Sequence, residues 1–368
     1  MKIGISLLNF RIGVMGGFEI FLRKIIENIS SYDEKDEIVF IVNDHNKNFI
    51  PSHLNFHNIG YNLWQTNLLR IQEAIFPFIF NPIKKGIEDL NLDVIFFPHH
   101  AMFPVNIPIP SVINVADIQH IYYPNYFSFC DKIFRKLIYK RSLKKCNRII
   151  AISEFTAKSL VEHYEISIDK VNVIHHGFDS NSLSSSSTNR YVLSKTPFIY
   201  YPAASFLHKG HKNLFKSFSK LRNENKISHN LILTGVRDSN WKYIKKFIKE
   251  YNIEEFVIDY GYVDYSTVLD LYKYADIIVF PTEFEGFGLP ILEASKFNKK
   301  IICSKLKVFE EIGVPSSYQI DFSDSKQFLD AINSNDSFSL LKQPISWKES
   351  IQKIYMLLIE TANLEYLK

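Results

Sequence analysis

Short, continuous apolar runs separated by amphipathic stretches organise this chain. KIGISLL, EIVFIVND, DVIFFP, SVINVAD, RIIAIS and KVNVIHH follow one another through the first half. Each is apolar without alternation, the pattern of a strand covered on both faces in a parallel sheet. Between several of them lie segments of helical period, of which FEIFLRKIIENI is one. The polar run SNSLSSSSTNR, residues 180–190, reads as a linker. Beyond it the alternation restarts with FIYYPA, NLFKSFSKL, NLILTG, WKYIKKFIKEY, FVIDYG, STVLDLYKYA, DIIVFP and IICSK. The closing segment, SWKESIQKIYMLLIETANL, is helical by period, with Ile351, Ile354, Tyr355, Leu358 and Ile359 recurring at helical spacing. The pattern predicts two Rossmann-like α/β domains, residues 1–185 and 191–345, and a terminal helix over 346–368.

Composition changes this picture little. A length of 368 residues suits two domains, and 46% apolar residues with 31 Phe and 20 Tyr suffice to fill their cores. The net charge of +4 divides evenly, +2 over residues 1–190 and +2 over the rest, which argues against a dedicated nucleic-acid binder. Cys130, Cys146 and Cys303 lie far apart and form no metal-ligand spacing, as in a reduced, cytoplasmic protein. No apolar run approaches the roughly 18 residues of a membrane span. The expected location is therefore the cytoplasm, with any membrane met from its inner face.

Three segments carry candidate chemistry. Gly16-Gly17, with Glu19, follows the first strand and opens the first helix, where glycine either lets backbone approach an anion or simply makes a tight turn. AASFLHKGHKNLF sets His208, Lys209, His211 and Lys212 between the first strand and first helix of the second half. Those cations either hold a diphosphate or form a solvated basic turn, and the histidines lack the companions of a zinc site. FPTEFEGFGLPILEA reads as strand, glycine loop and helix, with Gly286 and Gly288 allowing close backbone approach. Glu285 in the loop and Glu293 one turn into the helix suit sugar hydroxyls better than phosphate. The bland alternative is a helix cap flanked by solvated glutamates.

The second half is similar to the C-terminal domain of family-four retaining glycosyltransferases of the GT-B fold. FPTEFEGFGLPILEAS resembles that family's E-x7-E signature, HKGHKNL its lysine-bearing donor loop, and GYVDYSTVLDLYKYADIIVF and IICSKLKVFEEIG its flanks. The match is dense over 198–321 and thinner in the first half, through GGFE, DIQHIYYPNYF and IAISEFTAKSL. The resemblance implies two Rossmann-like domains facing each other across a donor and acceptor cleft. It also implies a nucleotide-sugar donor, with Glu285 on the donor sugar, Glu293 on the ribose and Lys209 on the diphosphate. The amides of Phe287, Gly288 and Leu289 would line the sugar and diphosphate, with the chain near Val263 against the base. Gly17 would close the site from the first domain.

Two departures accompany it. The family's histidine before an aspartate is Ala116 here, before Asp117, and His120 is the candidate to take its place, unless it is a satisfied structural histidine. The arginine that often precedes the donor lysine is replaced by Ala203, Ala204 and Ser205, leaving Lys212 as the candidate second cation. The chain has no Asp-x-Asp, so no metal or other cofactor is expected, and fixed cations and N–H groups would meet the leaving diphosphate. The segment DKIFRKLIYKRSLKKCNRII carries eight Lys or Arg against one acid, either a solvated face or a surface for anionic lipid near a lipid-linked acceptor. The expected activity is retaining hexosyl transfer to a glycan or lipid-linked acceptor in bacterial surface polysaccharide synthesis. The alternative is a catalytically silent, nucleotide-sugar-binding partner of such an enzyme, which Ala116 supports.

Overall fold

The computed structural model describes residues 1–13, 17–29, 32–33, 35–179, 196–334 and 338–364. The 180–190 linker and Gly16 lie outside them. The chain divides into two compact units, Met1–Gly177 with Ile345–Lys368, and Phe178–Pro344.

The first unit runs β1 (Lys2–Ser6), α1 (Gly17–Asn28), β2 (Glu37–Val42), β3 (Phe56–Asn58), α2 (Leu63–Ile75), α3 (Pro82–Glu88), β4 (Val94–Phe97), β5 (Ser111–Val115), α4 (Gln119–Tyr122), α5 (Phe129–Lys145), β6 (Arg148–Ala151), α6 (Glu154–Tyr164) and β7 (Val171–Val173). Its seven strands are ordered β3-β2-β1-β4-β5-β6-β7, and every pairing is parallel. VIFF and SVINV are buried at every position, which is why they carry no polar alternation.

The second unit runs β8 (Phe198–Pro202), α7 (His211–Asn223), β9 (Asn230–Thr234), α8 (Trp241–Glu250), β10 (Val257–Gly261), α9 (Tyr265–Tyr274), β11 (Ile277–Phe280), α10 (Leu289–Ser295), β12 (Lys300–Ser304), α11 (Lys307–Glu311), β13 (Gln319–Ile320) and α12 (Ser325–Asn333). Its six parallel strands are ordered β10-β9-β8-β11-β12-β13. Numbered from β8, that is the 3-2-1-4-5-6 order of a dinucleotide fold, with the order reversing between β8 and β11. Leu214, Phe215 and Phe218 of α7 and Phe328 of α12 bury against Ile199, Leu231 and Val279 of this sheet.

The last helix, α13 (Trp347–Asn363), packs in the first unit against α1, β4 and β5. A capping box starts it, with Ser346 and Glu349 each satisfying the other's backbone N–H. Ile351, Ile354, Tyr355 and Leu358 of the expected stripe are buried, together with Trp347 and Leu357. The Tyr32 hydroxyl donates to the Lys348 carbonyl at 2.6 Å, and Ser350 Oγ to that of His175 at 2.6 Å.

Candidate active site

In open α/β sheets, ligands bind beyond the carboxyl ends of the strands where the strand order reverses. In the second unit that point lies between β8 and β11, and the two loops leaving these strands are locked together there. Gly210 has φ +71°, and a Cβ on it would stand 1.9 Å from the Pro281 carbonyl oxygen. Only glycine permits that approach. The Glu283 N–H donates to the His208 carbonyl at 2.7 Å, and Thr282 Oγ1 reaches the same carbonyl at 3.2 Å. The Tyr201 hydroxyl, from β8, holds the carbonyl of Lys209.

The consequence is an ion pair: Lys209 Nζ lies 2.5 Å from Glu285 Oε1, with the side chains 19% and 20% exposed. An ammonium and a carboxylate 76 residues apart thus meet at the reversal point, accessible yet held. Glu285 makes no second hydrogen bond among the described residues, so its other oxygen is open to a hydroxyl.

Gly288, at φ +113°, caps α10, and a Cβ there would press on Phe309 and Ile312, each at 3.1 Å. Phe287 is buried beside it, whereas Gly286 and Leu289 are half-buried. α10 has only seven residues, so its dipole is short and the positive charge at this edge rests on Lys209. Glu293 sits on α10 and accepts from the Tyr265 hydroxyl at 3.0 Å. Burial raises its carboxyl to about 7, partly offset by that bond. Tyr265 opens α9 directly after Asp264, whose side chain caps the helix, and after the buried Val263. The segment after β10 is thereby fixed next to Glu293.

Lys212 does not join this cluster. It is exposed on α7, with Nζ 5.5 Å above the Phe247 ring of α8. Position 212 is the second residue of α7, whose Leu214 and Phe215 enter the core and turn Lys212 towards α8. His208 and His211 are both driven to about 3 by burial, with nearby cations adding to it, and stay neutral at physiological pH. Among the described residues no three His, Cys, Asp or Glu side chains gather as metal ligands.

The first unit carries its own cluster beyond β4 and β5. His120 is buried, its Nε2 2.9 Å from the Tyr164 hydroxyl and its ring edge-on to Tyr139 at 4.9 Å. Burial, reinforced by Arg135, lowers it to about 4, and Nδ1 is left without a partner. A neutral imidazole with a free nitrogen can orient a hydroxyl but does not deliver a proton at pH 7. Asp117 accepts from the Gln119 N–H at 2.9 Å, and its carbonyl lies 3.2 Å from His100 Nδ1. Gly17 begins α1 with open space about it. Glu19 turns back to the Gly13 N–H at 2.9 Å and to Arg23 at 2.7 Å, bonds that hold its carboxyl below the usual value although burial pushes it up. Sequence reasoning passed over His99 and His100; a His-His pair directly after the buried strand DVIFFP was the available signal.

Two doubly wound parallel sheets, with a lysine–glutamate pair at the reversal point of the second, define an α/β protein of the GT-B type. Residues 188–337 match the family Glycosyl transferases group 1, and residues 16–182 match Glycosyltransferase Family 4. The chain belongs to this glycosyltransferase family. It is 28% identical over 224 residues to the O-antigen chain mannosyltransferase RfbU of Salmonella typhimurium, covering 60% of each chain. Against the O-antigen chain mannosyltransferase B of Escherichia coli it is 25% identical over 214 residues, covering 56% of this chain and 55% of that one. The chain thus spans just over half the length of these relatives. Anabaena Alr3699/HepE, solved in complex with UDP and glucose, has the same fold, with a TM-score of 0.65 over 100% of this chain and 98% of the other at 17% identity.

Proposed function

We propose that this protein is a retaining, metal-independent glycosyltransferase. It moves a hexose-type sugar from a nucleotide-diphosphate sugar to a hydroxyl of a glycan or lipid-linked acceptor in bacterial surface polysaccharide synthesis. The observation that carries the reading is the Lys209–Glu285 pair at the β8–β11 reversal point. The O-antigen relatives supply the pathway class, and the UDP and glucose of the HepE structure the donor class.

In this reading Glu285 accepts hydrogen bonds from donor-sugar hydroxyls and fixes the Lys209 ammonium, which stabilises the charge growing on the departing diphosphate. Backbone of Gly286, Phe287, Gly288 and Leu289 lines the donor, Glu293 takes the ribose hydroxyls, and the segment at Val263 meets the base. The acceptor oxygen bonds to the anomeric carbon as the bond to the diphosphate breaks, on the same face. The departing phosphate oxygen takes the acceptor's proton. Neutral His120 offers its free nitrogen to a hydroxyl, and Gly17 leaves open space at the start of α1. The lysines of α5, exposed at positions 136, 140, 144 and 145, hold the protein to anionic lipid at the cytoplasmic membrane face. No helix among the described residues is long and apolar enough to cross a membrane.

Incubating the purified protein with UDP-, GDP- and dTDP-sugars, and following nucleoside diphosphate release with and without acceptor, tests this. Slow release with one donor supports it. Tight binding of a nucleotide sugar with no release under any condition would establish the silent-partner reading instead.

A further inference from the structure

The first sheet has a reversal point of its own. Its strand order turns between β1 and β4, and the loops leaving these strands meet at Asn9, whose Nδ2 donates to the Ala101 carbonyl at 3.3 Å. By the rule that located the ion pair in the second unit, a ligand of the first unit belongs here.

The loop after β1 is clamped by Asn43 and Asn46, two wholly buried asparagines of the loop after β2. Asn46 Nδ2 donates to the carbonyls of Leu7 at 2.7 Å and Phe10 at 3.2 Å, and Asn43 Nδ2 to that of Leu8 at 3.3 Å. Asn46 Oδ1 accepts from the Asn43 N–H at 3.0 Å, which locks the two clamps to each other. Backbone on both sides of Asn9 is thereby fixed, and with it the direction of the Asn9 side chain.

Asn9 Oδ1 is nevertheless buried without a hydrogen-bond partner, and so is His99 Nε2, on the loop after β4 two residues before Ala101. Both residues are half-buried as a whole. Phe18 of α1 stands edge-on to the His99 ring, with centroids 4.6 Å apart. Unpaired buried polar atoms are costly, so water or a ligand has to serve them. Burial first, then the fields of His100, Arg70, Arg135 and Arg11, hold His99 well below its ordinary value, and its ring is neutral. Those arginines draw anions, but Asn9 Oδ1 accepts only, and phosphate oxygens would repel it. A hydroxyl suits both orphans: it donates to the amide oxygen, and it donates to or accepts from a neutral imidazole. Two such points beside an aromatic ring make an apolar wall with a few placed polar groups, as a sugar requires.

We propose that Asn9 Oδ1 and His99 Nε2 bind two hydroxyls of an uncharged sugar ring, the acceptor unit of the glycan, with Phe18 against the ring's C–H face. This rests on the transferase reading and specifies its acceptor as a neutral hexose unit.

Saturation-transfer NMR titration of the full chain with the methyl glycosides of glucose, galactose and mannose, and displacement by inorganic phosphate, test the proposal. At least one glycoside should bind, and phosphate should not displace it. Asn9→Leu and His99→Leu should each weaken that glycoside by about 3- to 10-fold. His99→Gln keeps a neutral polar tip and should stay within about twofold of wild type. If Asn9→Leu fails to fold by circular dichroism, Asn9→Ala and the two His99 variants decide the matter. No glycoside bound, displacement by phosphate, or leucine variants that bind like wild type overturns the proposal. So does His99→Gln as weak as His99→Leu, because the ring then acts only through its shape. Nucleoside diphosphate release from UDP-, GDP- and dTDP-sugars is followed in parallel. Release without glycoside binding sinks this inference alone, and glycoside binding with no release from any donor sinks the transferase reading alone.

Discussion

Replacing Glu293 by glutamine should make the protein more stable and worse at holding its donor, and the two effects should separate with pH. The carboxyl is raised from 4.5 to about 7 by burial, with Tyr265, Tyr200 and Tyr272 as the ionisable groups around it and no cation among its causes. Folding therefore favours the protonated form. The stabilisation is complete below about pH 4.5 and is lost as pH rises through about 7. At about 1.4 kcal/mol per pH unit the full loss is about 3 kcal/mol, and partial exposure to solvent reduces it to about 1–3 kcal/mol. Glutamine is neutral at every pH and still accepts from the Tyr265 hydroxyl. At pH 8 the variant's second unit should unfold about 2–10 °C higher than wild type, and at pH 5 the two should nearly coincide. Scanning calorimetry at both pH values reads this, and nucleotide-sugar titration at pH 8 should show affinity weakened by about 1–3 kcal/mol. A variant no more stable than wild type at pH 8 would refute the claim that this carboxylate is held ionised at a cost.

Glu285→Ala should cut transfer by about 100-fold or more while changing stability by under about 1 kcal/mol, because both side chains of its ion pair touch solvent; full activity in that variant would sink the site assignment. Transfer in excess EDTA should match transfer without it, and a complete loss rescued by divalent cation would show that Lys209 does not suffice for the diphosphate. Deleting residues 346–368 removes six large buried side chains from the first unit, Trp347, Ile351, Ile354, Tyr355, Leu357 and Leu358. At about 1.5–3 kcal/mol each the loss rivals a whole domain's stability of about 5–15 kcal/mol, so the truncated chain should be insoluble; soluble, fully active protein would contradict the packing.

What the sequence made legible followed from burial. β1, β2, β4, β8, β9, β11 and β12 announce themselves as apolar runs because both faces of a parallel sheet are covered, whereas β10 is an edge strand read despite its exposed Asp259. β3 and the two-residue β13 were missed, being edge strands too short to impose a pattern. Lys209 and Glu285 were readable as candidates from their loops, but their 2.5 Å contact depends on the close approach at Gly210, which no local pattern encodes. Lys212 was read from the sequence as a second cation beside Lys209, yet one turn of helix carries it to Phe247.

The place of α13 has a consequence for the order in which the chain matures during synthesis. The second unit is continuous, residues 178–344, and all of it is polymerised before α13. The first unit, although its strands emerge earlier, lacks the helix that covers α1, β4 and β5 until residues 347–363 follow. Domains otherwise tend to fold in the order they are synthesised. Here the later unit is the first whose residues are all joined, and the earlier one must wait for α13 with an uncovered apolar surface.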